Sequence, residues 1–532
     1  MRALRSRQFA EDAGPLAHPV RPQSYIEINN FYTSTVYEKG AELVRMLASL
    51  LGPERFRRAT DLYFERHDGQ AVTTDDFVSC MEDASGRDLS RFKRWYAQAG
   101  TPELQIHGDY DESTKTYRLG VRQSTPKTPG QPHKEPLHIP FAVGLMDVAG
   151  GDLPLRLEGE AEASPAPRTR LLELRETEER FCFVDVPDRP IPSLLRGFSA
   201  PVKVHYEYGD EDLMFLMAHD SDGFNRWNAA QTLAQRILLR MVREKASGVP
   251  VGFQQAFRRA WEDRGAEEAL LAQILALPSE SYLGDQMETV DVDGVHRARE
   301  AMKGCIANTL KDDLLALYEQ NRENGPYELT PVSIGRRVLK NLCLDYLMQT
   351  GDADVLSLSQ KQFDAAHNMT DVLTALRLLV DDGGAAGQRA LEVFYARWAT
   401  DPLVLDKWFS IQATSKRPNA LEQVQGLMSH PAFSITNPNR VRSLVGAFCM
   451  GNPVRFHAAD GSGYRFLSER VLELDPVNPQ IASRLLQAMA RWRRFDVGRQ
   501  ALMREQLERV VEVDGLSKDV YEVASKSLVE AR

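Results

Sequence analysis

Tyr37 is a side chain whose type and position suit a chemical role. It comes just before an apolar pattern with the spacing of one buried helical face, formed by Leu43, Val44, Leu47, Leu50 and Leu51. A phenol at the first turn of such a helix can point out of the packed face and donate a hydrogen bond to an oxyanion. The same spacing also fits a tyrosine that caps the helix or packs in the core, so the pattern leaves both interpretations open.

The helix that would position Tyr37 is predicted to stop at Gly52-Pro53, and residues 53–100 show the patterns of further short helices. Residues 1–35 are polar and interrupted by prolines. We expect them to wrap a neighbouring surface rather than form a core. Together these stretches suggest a helical segment at 1–102.

Two further regions follow, with different periodicities. In residues 103–208 apolar residues recur at every second position, as in Leu137/Ile139/Phe141/Val143/Leu145, and turn clusters such as Pro187–Pro192 separate the runs. This pattern predicts a β-sandwich of six or seven strands that is immunoglobulin-like in topology. Residues 209–532 repeat helical patterns, for example Phe224–Val242 and Val295–Glu319, with short loops between them. They predict an α-solenoid or a generic helical scaffold.

Composition excludes several classes of protein. The net charge of −10 argues against nucleic-acid binding, which needs a concentrated basic face. No apolar run approaches the roughly 18–20 residues of a membrane span, and the N-terminus lacks the apolar core of a signal peptide. The five cysteines form no metal-binding spacing. We therefore expect a cytoplasmic protein with free thiols, with no nucleic-acid partner and no membrane association.

Several stretches resemble one known family, the zinc-dependent bacterial aminopeptidase N enzymes of the gluzincin class. The stretch around Tyr37, FYTSTVYEKGAELVRML (31–47), resembles the segment that carries the catalytic tyrosine of the family. Further similar blocks are QFAEDAGPLAHPVRP (8–22), PLHIPFAV (136–143), DKWF (406–409), NPNRVRSLVGAF (437–448) and DGSGY (460–464). These blocks run along the whole chain, and their combination is far more specific than any one of them.

The resemblance implies a fold, an activity and site residues. The fold would be α+β and multidomain: the C-terminal portion of a thermolysin-like catalytic domain (1–102), the β-sandwich (103–208) and an all-α superhelical domain of armadillo or HEAT type (209–532). Tyr37 would be the catalytic oxyanion donor and Tyr32 would line the pocket for the first side chain of a peptide substrate. Arg442 and Arg484 would project toward the substrate channel, where a guanidinium can hold carboxylates or carbonyl oxygens.

The sequence departs from the family at the metal site. None of its 11 histidines begins an HExxH motif, and no GAMEN-like exopeptidase motif is present. The resemblance therefore implies the C-terminal part of a Zn²⁺ aminopeptidase, with no metal ligands or general base of its own. We expect no activity from this chain alone, and the missing N-terminal catalytic half would be a partner. The alternative is a non-catalytic helical scaffold that binds peptides or a partner chain.

Overall fold

The protein is described here by a computed structural model covering residues 4–161, 166–246, 248–262, 267–323 and 325–529. It divides into two compact units, Met1–Ala229 and Ala230–Val529.

The first unit begins with helices. They are α1 (Phe9–Asp12), α2 (Gly40–Leu51), α3 (Pro53–His67), α4 (Thr74–Ser85) and α5 (Arg94–Ala97), together with π-helical turns at Leu4–Gln8 and Thr35–Lys39 and a 3₁₀ turn at Ile28–Phe31. The expectation that residues 1–35 stay outside the core is wrong, because Leu4, Phe9 and Val20 are buried in it. Their wide spacing hides this role, since single apolar residues in a polar segment form no periodic pattern.

Helix α2 packs largely as its pattern predicts. Leu43, Leu47, Leu50 and Leu51 are buried, but the assignment of Val44 to the buried face is wrong, since Val44 is 39% exposed. Met46 takes the buried position instead, because it lies one turn from Leu43 and Leu50 on the same face. Gly52 ends the helix at a φ of 76°, and Pro53 begins α3.

Two sheets follow in the first unit. The strands are β1 (Glu103–Asp111), β2 (Thr116–Ser124), β3 (Ile139–Met146), β4 (Arg156–Leu157), β5 (Arg170–Leu174), β6 (Glu178–Val184), β7 (Ile191–Leu194) and β8 (Lys203–His205). One sheet has the order β4-β6-β2-β1-β8 and the other β5-β3-β7. The turn predicted at Pro187–Pro192 gives way to β7 at Ile191, which pairs with Met146 of β3. Strand β3 pairs with β5 and β7, and every residue along it is buried.

Specific polar contacts attach the sheets to the helices of this unit. Trp95 Nε1 donates to the carbonyl of His138 at 2.9 Å, and His138 Nε2 lies 2.9 Å from Glu173 Oε2. Arg87 forms an ion pair with the same glutamate. His138 and Arg87 hold the pKa of Glu173 well below its usual range. The helical segment and the sandwich therefore share one hydrophobic core and a partly buried polar cluster.

Helix α6 (Asp210–His219) lies in the first unit, and the division between the units falls within α7 (Gly223–Glu244). The second unit is helical in its described residues. Its helices are α8 (Val251–Glu262), α9 (Glu268–Leu275), α10 (Glu280–Asp285), α11 (Val292–Thr309), α12 (Lys311–Gln320), α13 (Pro331–Leu347), α14 (Ala353–Ala365), α15 (Met369–Asp382), α16 (Ala385–Trp398), α17 (Pro402–Ala413), α18 (Ala420–Met428), α19 (Pro438–Val441), α20 (Ala447–Gly451), α21 (Pro453–Phe456), α22 (Ser462–Leu474), α23 (Pro479–Leu486), α24 (Val497–Val511) and α25 (Lys518–Leu528). The single helix predicted over Val295–Glu319 is wrong. Leu310 leaves helical geometry there, and two aspartates favour a new first turn after it.

Candidate functional site

Tyr37 lies in the π-helical turn Thr35–Lys39, which leads directly into α2. The amide of Gly40 donates to the carbonyl of Thr35, the i to i+5 bond that defines such a turn. The Tyr37 side chain is 60% exposed. An accessible phenol at the entry to a helix is in a position to donate a hydrogen bond to a bound ligand.

The two tyrosines singled out from the sequence contact each other. The rings of Tyr32 and Tyr37 stack with centroids 6.2 Å apart and planes 27° apart. Tyr32 meets Phe31 edge-on at 6.0 Å, and Phe31 meets Tyr25 at 6.1 Å. Tyr32 and Tyr25 are half exposed, so this aromatic row presents an apolar wall beside the Tyr37 phenol.

A buried ion pair lies under the tyrosine-bearing turn. Lys39 Nζ donates to Asp12 Oδ2 at 3.0 Å and to the carbonyl of Gly100 at 2.8 Å, and both charged side chains are 1% exposed. Thr101 Oγ1 donates to the same carboxylate oxygen at 2.9 Å. Glu38, by contrast, is exposed to solvent. In this turn the side chains of Tyr37 and Glu38 are therefore exposed, and the ammonium group of Lys39 is buried.

Arg442 begins a second π-helical turn, Arg442–Gly446, in the second unit. The residues around it are fixed by Arg440, which is buried, forms an ion pair with Asp406 and donates to the carbonyl of Ala432 at 2.9 Å. The guanidinium of Arg442 is exposed and donates to Asn439 Oδ1 at 3.1 Å. The protein therefore holds the backbone at Arg442 firmly and leaves its charge accessible.

Arg484 lies near the end of α23, which packs against the turn that begins at Arg442. A Cβ placed on Gly446 would lie 3.5 Å from Leu485 Cδ2, an ordinary van der Waals distance, so the two elements are in contact there. Within the part of the chain that the structure describes, neither guanidinium pairs with a carboxylate. The structure thus brings the two predicted arginines onto adjacent elements of the second unit, as it brings the two tyrosines together in the first.

The comparison with known families divides the chain into three parts. Residues 2–96 match the peptidase family M1 domain, residues 100–207 a domain of unknown function with an Ig-like fold, and residues 210–529 a domain of unknown function with ARM repeats. The last match covers more than half of the chain.

Aminopeptidase N of Escherichia coli K12 is 45% identical over 534 residues, and that of Haemophilus influenzae is 44% identical over 529. Both alignments cover 99% of this chain and 60% of the relative. The crystal structure of Legionella pneumophila aminopeptidase A in complex with aspartic acid superposes with a TM-score of 0.86 at 31% identity, over 96% of this chain and 58% of that chain.

The chain belongs to the bacterial aminopeptidase N family. It corresponds to the C-terminal part of these proteins and spans about 60% of the length of the curated relatives it matches. The predicted family and fold class are confirmed: a portion of an M1 peptidase domain, an immunoglobulin-like sandwich and a helical ARM-type domain. Among the helices in the described ranges, none has both the length and the apolar character needed to cross a bilayer.

The zinc of the M1 family does not fit the described residues around Tyr37. The one grouping in the described chain with three ligand atoms within 4.8 Å of one another is Glu280, His296 and Glu300, in the second unit. Lys416 Nζ lies 2.5 Å from Glu300 Oε1, and His296 Nδ1 lies 2.8 Å from Glu280. Because these side chains already satisfy one another, we interpret the grouping as a structural ion-pair network.

The structure also reveals features that the sequence pattern missed. Tyr37 and Arg442 both lie in π-helical turns, which account for well under 1% of residues in globular proteins and are frequent at functional sites. A third such turn, Leu4–Gln8, precedes α1, and its Gln8 bonds to Thr35. No periodic signal in the sequence distinguishes a π-turn from an α-helical turn, because the two differ by one residue in register.

Proposed function

We propose that this chain supplies the oxyanion-stabilising side of a zinc aminopeptidase that releases N-terminal amino acids from peptides. The observation that carries the proposal is the exposed phenol of Tyr37 on an anchored π-turn, within the segment that matches the M1 peptidase domain. Its hydroxyl donates a hydrogen bond to the oxygen that becomes negative as the tetrahedral intermediate forms. Membership of the aminopeptidase N family supports this assignment.

We also propose peptide-binding roles for one tyrosine of the first unit and two arginines of the second. Tyr32, stacked on Tyr37, forms one wall for the first side chain of the substrate. Arg442, which is exposed, and Arg484, which is half-buried, provide guanidinium groups for carbonyl or carboxylate oxygens on the leaving side of the peptide.

Zinc, its ligands and the general base come from the zinc-bearing portion of the family, which is the partner we propose for this chain. The metal supplies polarisation of the scissile carbonyl and activation of water when bound. We expect no release of amino acids by the 532-residue chain alone. The setting we propose is cytoplasmic peptide turnover, with a preference of the alanyl aminopeptidase type.

The test is complementation. The chain is co-expressed with the part of the Escherichia coli relative that precedes the matched region, and hydrolysis of an alanyl p-nitroanilide is measured with zinc present. We expect activity in the complex, and a fall of about 10²–10³ in kcat for Tyr37→Phe, as for the loss of one oxyanion donor. Tyr521→Phe, at a half-exposed tyrosine of α25, is the matched control. Full activity of the Tyr37→Phe complex would contradict the proposal.

A non-catalytic binding role is the second candidate, because the second unit carries a groove of about 410 Å³ between α15 and α17. Its lining residues are Leu373, Thr374, Arg377, Asp406, Lys407, Ser410 and Ile411. The volume falls within the range of peptide and ligand pockets, and exposed Lys407 adds positive charge. Anisotropy of labelled acidic peptides with the isolated chain tests this role: Lys407→Gln should weaken binding, and Lys361→Gln on α14 should not.

A further inference from the structure

The turn that carries Tyr37 has the π-helical form, which is rare and occurs mostly as a single turn within an α-helix. An α-helix has 3.6 residues per turn, so each residue of register rotates the chain by about 100°. If Thr35–Lys39 relaxed to α-helical register, Tyr37 would rotate by about that angle relative to α2. The direction of the phenol therefore depends on whatever keeps the turn in π form.

Glu11 holds the first residue of the turn. Its carboxylate accepts from the backbone amide of Thr35 at 2.7 Å, from Thr35 Oγ1 at 2.5 Å and from the amide of Ser34 at 3.4 Å. Thr35 is fully buried, and its hydroxyl oxygen also accepts from Gln8 Nε2 at 3.3 Å. Hydrogen bonds to an ionised carboxylate are about twice as strong as neutral ones.

Asp12 holds the last residue of the same turn. It pairs with Lys39 in a site closed to solvent, where the ammonium also bonds to the Gly100 carbonyl. Removing one partner of such a buried pair leaves an uncompensated charge, which is strongly unfavourable. Glu11 and Asp12 are successive residues of α1, so one short helix fixes both ends of the turn.

We infer that Glu11 and Asp12 are positioning residues for the Tyr37 phenol. With Thr35 and Lys39 fixed, only the three residues between them are free to project, and Tyr37 is the central one. The stack of Tyr32 on Tyr37 then sets the ring plane. The inference rests on the proposed function for its catalytic meaning, whereas the positioning itself is a property of this chain.

The test places 3-fluorotyrosine at position 37 of the full chain and records its ¹⁹F spectrum. Thr35→Val removes the hydroxyl that bonds to Glu11 and keeps the shape of the side chain, while Thr35→Ser keeps the hydroxyl. Thr60→Val, at a threonine of α3 that bonds only to the Arg57 carbonyl, is the matched control. We expect one resonance in the parent chain, in Thr35→Ser and in Thr60→Val, and a displaced or second resonance in Thr35→Val and Glu11→Gln.

In the complemented enzyme, Thr35→Val should lower kcat by up to about 10²–10³, the cost of losing one oxyanion donor, with KM unchanged. A general loss of fold would instead shift the circular dichroism spectrum together with the resonance. The inference is overturned if Thr35→Val and Glu11→Gln leave the ¹⁹F resonance within the linewidth of the parent. That result is independent of peptidase activity, so it is distinguishable from a failure of the proposed function.

Discussion

Because of Asp220, the free energy of unfolding of the first unit should fall as pH rises from 3.8 to about 6. It follows α6 and is 2% exposed. Its Oδ1 accepts from the amide of Asp222 at 2.9 Å and lies 3.4 Å from Arg196 Nη2, but Arg196 also pairs with Asp152 at 2.5 Å. The other carboxylate oxygen is buried without a hydrogen-bond partner among the described residues. Burial raises the pKa of Asp220 to about 6, and Ser193, the Asp222 amide and the shared guanidinium of Arg196 offset this only in part.

The raised pKa of Asp220 determines the direction of this pH dependence. A carboxyl whose folded pKa is raised from 3.8 to about 6 contributes stability that is fully present below pH 3.8 and is lost as pH rises through 6. In this window the free energy of unfolding should fall by about 1.4 kcal/mol per pH unit, or about 3 kcal/mol in all. Roughly 2 kcal/mol of this change lies between pH 4.5 and 6.

Urea unfolding of the full chain between pH 4.5 and 7.5 measures the effect. Asp220→Asn still accepts from the Asp222 amide and cannot ionise, so the difference in stability between parent and variant isolates this group. We expect the parent to lose about 2 kcal/mol relative to Asp220→Asn across that range. Asp188→Asn, at an exposed aspartate between β6 and β7, should follow the parent. Parallel stability curves for the parent and Asp220→Asn would refute the assigned cause.

Two further predictions concern the second unit. Burial, with a smaller contribution from Arg499, lowers the pKa of His457 to about 3. The stabilisation linked to the neutral imidazole is therefore fully present above pH 6.5 and is lost as pH falls. In urea unfolding, the free energy of unfolding of the parent should fall by at most about 1.4 kcal/mol per pH unit from this cause, and His457→Gln should not show this fall. Gly463 lets α22 approach Phe456, because a Cβ there would lie 2.1 Å from the Phe456 carbonyl oxygen. Gly463→Ala should lower the free energy of unfolding by about 1–3 kcal/mol, measured by thermal unfolding. Gly426→Ala, at an open position of α18, should be neutral or slightly stabilising. Equal effects of the two substitutions would contradict the steric reason.

Much of the architecture could be predicted because it depends on local periodicity. The buried face of α2 and the alternation in β1 and β2 are encoded by residues within one or two turns or pleats of each other. The positions of the shortest strands are not encoded in this way. The pair Arg156–Leu157 and the strand Ile191–Leu194 are defined by their partners in the sheet and are too short for a periodic signal.

The geometry of the candidate site also depends on contacts between distant residues, which the sequence pattern does not show. The sequence by itself determined that a tyrosine precedes an amphipathic helix and that this stretch resembles the catalytic segment of a peptidase family. Only the tertiary structure decided that Tyr37 sits in a π-turn, since the bonds that hold the turn come from Glu11 and Asp12, more than 20 residues away in sequence. A one-residue change of register alters no local pattern, but it changes the direction of the phenol by about 100°. That direction is set by contacts between distant segments and therefore by the fold.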